Sequence, residues 1–180
     1  MRPMRRLAVG LLLAGSLTGA TSPSWADDAC IDFKWDVSKE RALFAGTPEA
    51  LSGGNDSLSA PVIVPNRLYK LRLTAQDQVS FAISPKKKAA AADAFAGLAT
   101  LKIPAAGSYR IAIDLPFWID VVSNGAFVAA KDFEGQHNCS APHKIVEFEL
   151  SGVQPFLLQF SNADSDAVLV TVTASPLRKF

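Results

Sequence analysis

Residues 144–174 read KIVEFELSGVQPFLLQFSNADSDAVLVTVTA, and their rhythm decides the fold. Val146, Phe148 and Leu150 alternate with Glu147 and Glu149. Phe156, Leu158 and Phe160 repeat the step of two, and Val168, Val170 and Val172 alternate with Thr171 and Thr173. Successive side chains of a strand point to opposite faces. Apolar residues at every second position therefore read as half-buried strands, one face on the core and one in water. Ser151-Gly152 and Asn162-Ala163-Asp164-Ser165-Asp166 separate the runs, as turn-forming residues do.

The same rhythm extends upstream. Tyr109, Ile111 and Ile113 alternate with Arg110, Ala112 and Asp114. Residues 117–122 and 126–130 flank Ser123-Asn124-Gly125, and Asn-Gly is a strong hairpin signal. Tyr69, Leu71 and Leu73 make another run, then Val79, Phe81 and Ile83 beyond a turn at residues 75–78. Ile31, Phe33, Trp35 and Val37 make the first. Short strands at such regular spacing predict an all-β fold, an antiparallel β-sandwich of jelly-roll type with about eight to ten strands. Helix is expected only at residues 38–44, with Ser38 as the cap, and at residues 86–95, KKKAAAADAF. Residues 46–61, rich in Gly, Ser and Asn, read as a long loop.

The N-terminus has the layout of a secretory signal peptide. Arg2, Arg5 and Arg6 precede a short apolar run from Leu7 to Gly15, and Ser24-Trp25-Ala26 is a small-x-small cleavage site. The apolar run is well short of the ~20 residues a spanning helix needs. Residues 1–26 are thus read as the signal peptide and 27–180 as a single secreted domain, periplasmic or extracellular, with no transmembrane segment after cleavage. The remaining lysines, arginines and acids nearly balance, the whole chain carrying a net charge of +1. Nothing in that balance steers nucleic acid. Cys30 and Cys139 are the chain's two cysteines, and an exported pair is expected to be bridged. The competing reading makes Cys139 a metal thiolate.

EGQHNCSAPHK, residues 134–144, holds both histidines. His137, His143 and Glu134 supply two imidazoles and a carboxylate, with Asp132 as a further candidate, a set that suits iron, copper or zinc (Fe, Cu or Zn). The alternative is a pair of loop histidines beside a disulfide. In Pro116-Phe117-Trp118-Ile119-Asp120 three large apolar residues in succession break the alternation. Phe117 or Trp118 should face away from the core, either under a loop or as a ligand platform, with Asp120 ready to accept hydrogen bonds. No G-x-S-x-G turn or phosphate-cradling glycine loop is present.

AGSYRIAIDLPFWIDVVSNG, then HNCSAPHKIVEFEL, then PFLLQFSNADSDAVLVTV resembles a group of small secreted proteobacterial proteins with one disulfide, often labelled homogentisate 1,2-dioxygenase. The region, about residues 97–174, is also broadly similar to pre-peptidase C-terminal β-sandwich domains. The label implies a non-haem iron oxygenase using His137, His143 and Glu134, but the cupin pattern H-x-H followed by Glu is absent. The function expected from the residues is an exported, non-catalytic binding or envelope-associated module for a periplasmic protein or small ligand. A metal-dependent enzyme is the alternative. A third reading is a subunit that adds a strand to a partner's sheet edge.

Overall fold

Twelve strands and one α-helix make up a computed structural model of the chain, which describes residue 30 and residues 33–88, 93–152 and 154–176. The signal peptide and its cleavage site lie outside the described residues, as do Ile31, Asp32 and residues 89–92. The elements run α1 (Ser38–Phe44), β1 (Glu49–Ser52), β2 (Val62–Ile63), β3 (Leu68–Arg72), β4 (Thr74–Ala75) and β5 (Phe95–Leu101). They continue with β6 (Gly107–Ile113), β7 (Trp118–Ser123), β8 (Ala126–Val128) and β9 (Ala130–Gly135). The chain closes with β10 (Lys144–Leu150), β11 (Phe156–Ala163) and β12 (Ala167–Ala174).

The strands form two packed sheets, ordered β1-β3-β12-β6-β10-β9 and β2-β5-β11-β7-β8, with β4 also on β5. The expected sandwich is there, with more strands than alternation alone counted. Each sheet is mixed, because β1 runs parallel to β3 and β2 parallel to β5. The predicted hairpin joins β7 to β8, and Asn124 and Gly125 take φ of 52° and 71° at its tip, as a primed turn requires. Between the sheets lie the alternating apolar residues. Tyr69, Ile111, Phe148 and Val170 come from one sheet, and Leu101, Val121, Leu158 and Phe160 from the other.

The outer faces are not left to water as period two alone implies. Outside the first sheet, Cys30, Phe33 and Val37 pack on Ala112 and Ile145, and α1 lies against β12. The polar positions of the pattern are thereby buried: Arg110, Glu147, Thr171 and Thr173, together with Glu40 from α1. A buried charge must be paired, and these are. Arg110 and Glu147 face each other across β6 and β10, with Nε 3.3 Å from Oε2. Arg110 Nη1 also donates to the Asp36 carbonyl at 3.1 Å, Thr173 donates its hydroxyl to Glu40, and Ser175 to Glu147 at 2.9 Å.

Five sequence expectations need correction. Phe33–Val37 forms no strand; its alternation serves to cover the sheet instead, since both neighbours of β6 are already paired. Val79, Phe81 and Ile83 form none either. Val79 packs outside the second sheet on Ala96 and Leu98, and the Ile83 backbone is satisfied by the Gln159 side-chain amide at 2.9 and 3.3 Å. The predicted helix at 86–95 is not helical at residues 86–88, and Phe95 opens β5. Helix α1 occupies residues 38–44 as expected, but Ser38 does not cap it. The Ser38 N–H donates to Asp36 Oδ1 at 2.9 Å, and that bond holds the Asp36 carboxyl below its usual range. Residues 46–61 also contain β1.

Candidate ligand-binding groove

The Cys30–Cys139 bridge is formed, with the two Cα atoms 5.2 Å apart. It pins the β9–β10 connection to the N-terminal segment. Within that connection the Gln136 N–H donates to the His143 carbonyl at 2.8 Å, and the His143 N–H donates to Ile113 at 2.8 Å. His143 Nδ1 sits 3.2 Å from the Cys139 carbonyl. The histidine loop is therefore tied at three points: the bridge, its own neck and the end of β6.

The two imidazoles come together, ring centroids 6.1 Å apart. Glu134 does not join them. Its Oε2 accepts the Lys34 N–H at 2.8 Å, while Asp132 pairs with Lys34 Nζ at 2.7 Å. The pleat of β9 explains the separation. Asp132 and Glu134 share one face, and Phe133 and Gly135 share the other, where the histidines are. Among the described residues no group of three or more His, Cys, Asp and Glu could hold a metal ion. Cys139 is committed to its disulfide.

The aromatic stretch converges on the same place. Phe117 is in the core, edge-on to Phe160 at 5.7 Å. Trp118 points the other way and is half-buried, as the broken alternation requires. Its indole Nε1–H is buried without an acceptor among the described residues, so the residue offers its ring. Asp120 is not open to a ligand: it is 3 % exposed and its Oδ2 accepts the Lys86 N–H at 3.2 Å. The Lys86–Lys88 segment is the loop that covers it.

At this end of the sandwich β7, β9 and β10 frame a groove of about 350 Å³. Trp118, Phe133, His137, His143, Lys144 and Lys87 line it, above Pro116 and Phe117. Lys144 is the residue sequence reading missed. Its Nζ lies 5.3 Å from the Trp118 ring centroid and donates to the Phe117 carbonyl at 3.1 Å. Burial lowers its pKa, the Lys87 charge adds to that, and Asp120 opposes it. The signal was in the pattern, because Lys144 shares the inward parity of Val146, Phe148 and Leu150.

A larger cleft, about 710 Å³, lies outside the first sheet around Trp35. Its charges are matched among themselves. Lys34 pairs with Asp132, Arg110 with Glu147, and Lys131 with Glu149 at 2.7, 3.3 and 3.4 Å. Lys34 Nζ and the Arg110 guanidinium both approach the Trp35 ring, at 4.7 and 4.9 Å. The groove differs in kind: two lysines and two imidazoles line it, with no carboxylate, hydroxyl or thiol among the described residues. No protein-family model and no curated protein matches the chain. Among the described residues no helix is long and apolar enough to cross a membrane.

Asp114 follows the last residue of β6, and burial raises its pKa above the usual 3.8, against the opposing pull of the Leu169 N–H, His143 and Lys70. A carboxylate with a raised folded pKa binds protons more tightly folded than unfolded, so stability falls as pH rises through that window. Asp114→Asn keeps an acceptor for the Leu169 N–H, now 2.8 Å away, and removes the charge. It is expected to raise Tm at neutral pH, with the gain shrinking as pH falls toward 4. Melting curves across that range check it; a gain independent of pH contradicts it.

Proposed function

We propose that this protein is exported to the periplasm or cell exterior and acts there as a non-catalytic binding module, taking a small ligand in the groove at Trp118 and His143. The composition of the groove carries the reading. Among the described residues two imidazoles and two lysines stand beside aromatic rings in one concave site, the apolar wall with a few placed polar groups that suits a small ligand. The volume falls within the range of small-molecule pockets. Export is supported by the Arg2, Arg5, Arg6 and Leu7-to-Gly15 pattern before Ala26. The Cys30–Cys139 bridge supports it too, since such bridges persist in oxidising compartments.

The test is calorimetric titration of the oxidised protein with a panel of small organic molecules, with each mixture assayed for chemical change. The expected result is saturable binding that weakens roughly tenfold in Trp118→Ala, the loss typical of a central aromatic contact. The ligand should be recovered unaltered. Turnover that disappears in His143→Ala contradicts the non-catalytic reading.

A further inference from the structure

We infer that the groove selects a small organic anion, a carboxylate on a flat apolar body. This rests on the groove being the ligand site. Lys144 is a partly buried ammonium whose pKa is pulled down by burial, and among the described residues neither it nor Lys87 has a carboxylate within ion-pair distance. Elsewhere this chain pairs its buried cation: Arg110 has Glu147 at 3.3 Å and Glu40 at 4.0 Å. The Asp120 carboxylate attracts Lys144 from beyond ion-pair distance and already accepts the Lys86 N–H, so the burial is offset only in part, which is destabilising. It becomes favourable when an anion arrives to meet it.

Lys144 is placed for that. One N–H goes to the Phe117 carbonyl, and an ammonium has three to give, so two remain. The Trp118 ring lies under the same ammonium, and cation–π contact fixes the charge over the aromatic surface. Lys87 adds a second positive charge at the rim, and among the described residues no acid lines the groove to compete with a ligand's carboxylate. The body of the ligand is set by the other walls. Phe133 is 66 % exposed, Trp118 is half-buried, and the crossed imidazoles of His137 and His143 stand beside them. These surfaces favour a flat apolar group over an inorganic ion or a sugar. The self-paired cleft around Trp35 has no such unmatched charge and should not take the anion.

The probes are benzoate, benzamide, benzylamine and acetate, titrated calorimetrically into the oxidised protein and into Lys144→Met, with near-ultraviolet circular dichroism to check the fold. Benzoate is expected to bind most tightly. Benzamide lacks the charge, acetate lacks the body, and each should bind at least about tenfold more weakly, as loss of a charge-assisted contact implies. Benzylamine should bind least. Lys144→Met should weaken benzoate about tenfold or more, leave benzamide unchanged, and unfold at no lower temperature than the parent. Benzamide binding as well as benzoate, or benzoate indifferent to Lys144→Met, overturns the anion while leaving the groove as the site. No response to any probe, charged or neutral, overturns both.

Discussion

Replacing Cys30 and Cys139 together by alanine is expected to lower the unfolding free energy by about 4 kcal/mol. The bridge joins residues 109 apart. Closing so long a loop removes many conformations from the unfolded chain, and the loss grows with loop length. The folded side matters as well. Both cysteines are buried among Phe33, Val37, Ala112 and Ile145, so the bridge also holds the cover over the outer face of the first sheet. Equilibrium urea unfolding of the oxidised parent and the double variant measures the difference. A loss under about 1 kcal/mol would mean that packing alone keeps residues 33–44 in place. The same variant frees the histidine loop at Cys139, so Trp118-dependent ligand binding should weaken with it.

Arg110→Met is the second large effect, expected to cost about 3–5 kcal/mol. The substitution nearly keeps the volume, so the loss is electrostatic. Arg110 lies between two buried acids, Nε 3.3 Å from Glu147 and Nη1 4.0 Å from Glu40. Without it Glu147 retains Lys131 at 3.6 Å and the Ser175 hydroxyl, but among the described residues Glu40 keeps only the Thr173 hydroxyl. Removing one partner of a buried pair leaves an uncompensated charge, which is far worse than removing all of them. Arg110→Met combined with Glu40→Gln and Glu147→Gln should therefore recover most of the loss. Denaturation of the single and triple variants tests this. A single variant costing no more than about 1 kcal/mol would mean that water reaches these acids and screens them.

The sandwich was legible because its central strands bury one apolar face each, and alternation is the direct record of that. β5 was not, because Phe95–Leu101 is covered on both sides: Leu101 faces the core, and Leu98 packs under Val79. A strand buried twice has no alternation to read. The opposite error arose at Phe33–Val37, where alternation marks a segment lying across a sheet without joining its ladder. In the candidate site, neighbours in sequence misled. Glu134 is close to His137 along the chain, yet the pleat turns it to the Lys34 side. Trp118 and Lys144 are far apart in the chain and meet only because β7 and β10 start at the same end of the sandwich. The inward parity of Lys144 could have singled it out, but nothing local says which ring it would lie over.

Where the ligand sits can be read from the two indoles in the described structure, Trp118 in the groove and Trp35 in the self-paired cleft. Benzoate titrated into the ¹⁵N-labelled oxidised protein, with the indole signals assigned through Trp35→Phe and Trp118→Phe, reads both places in one experiment. The Trp118 indole resonance is expected to move and saturate while that of Trp35 stays still. Movement of Trp35 with Trp118 unchanged would contradict this and place the ligand on the outer face of the first sheet.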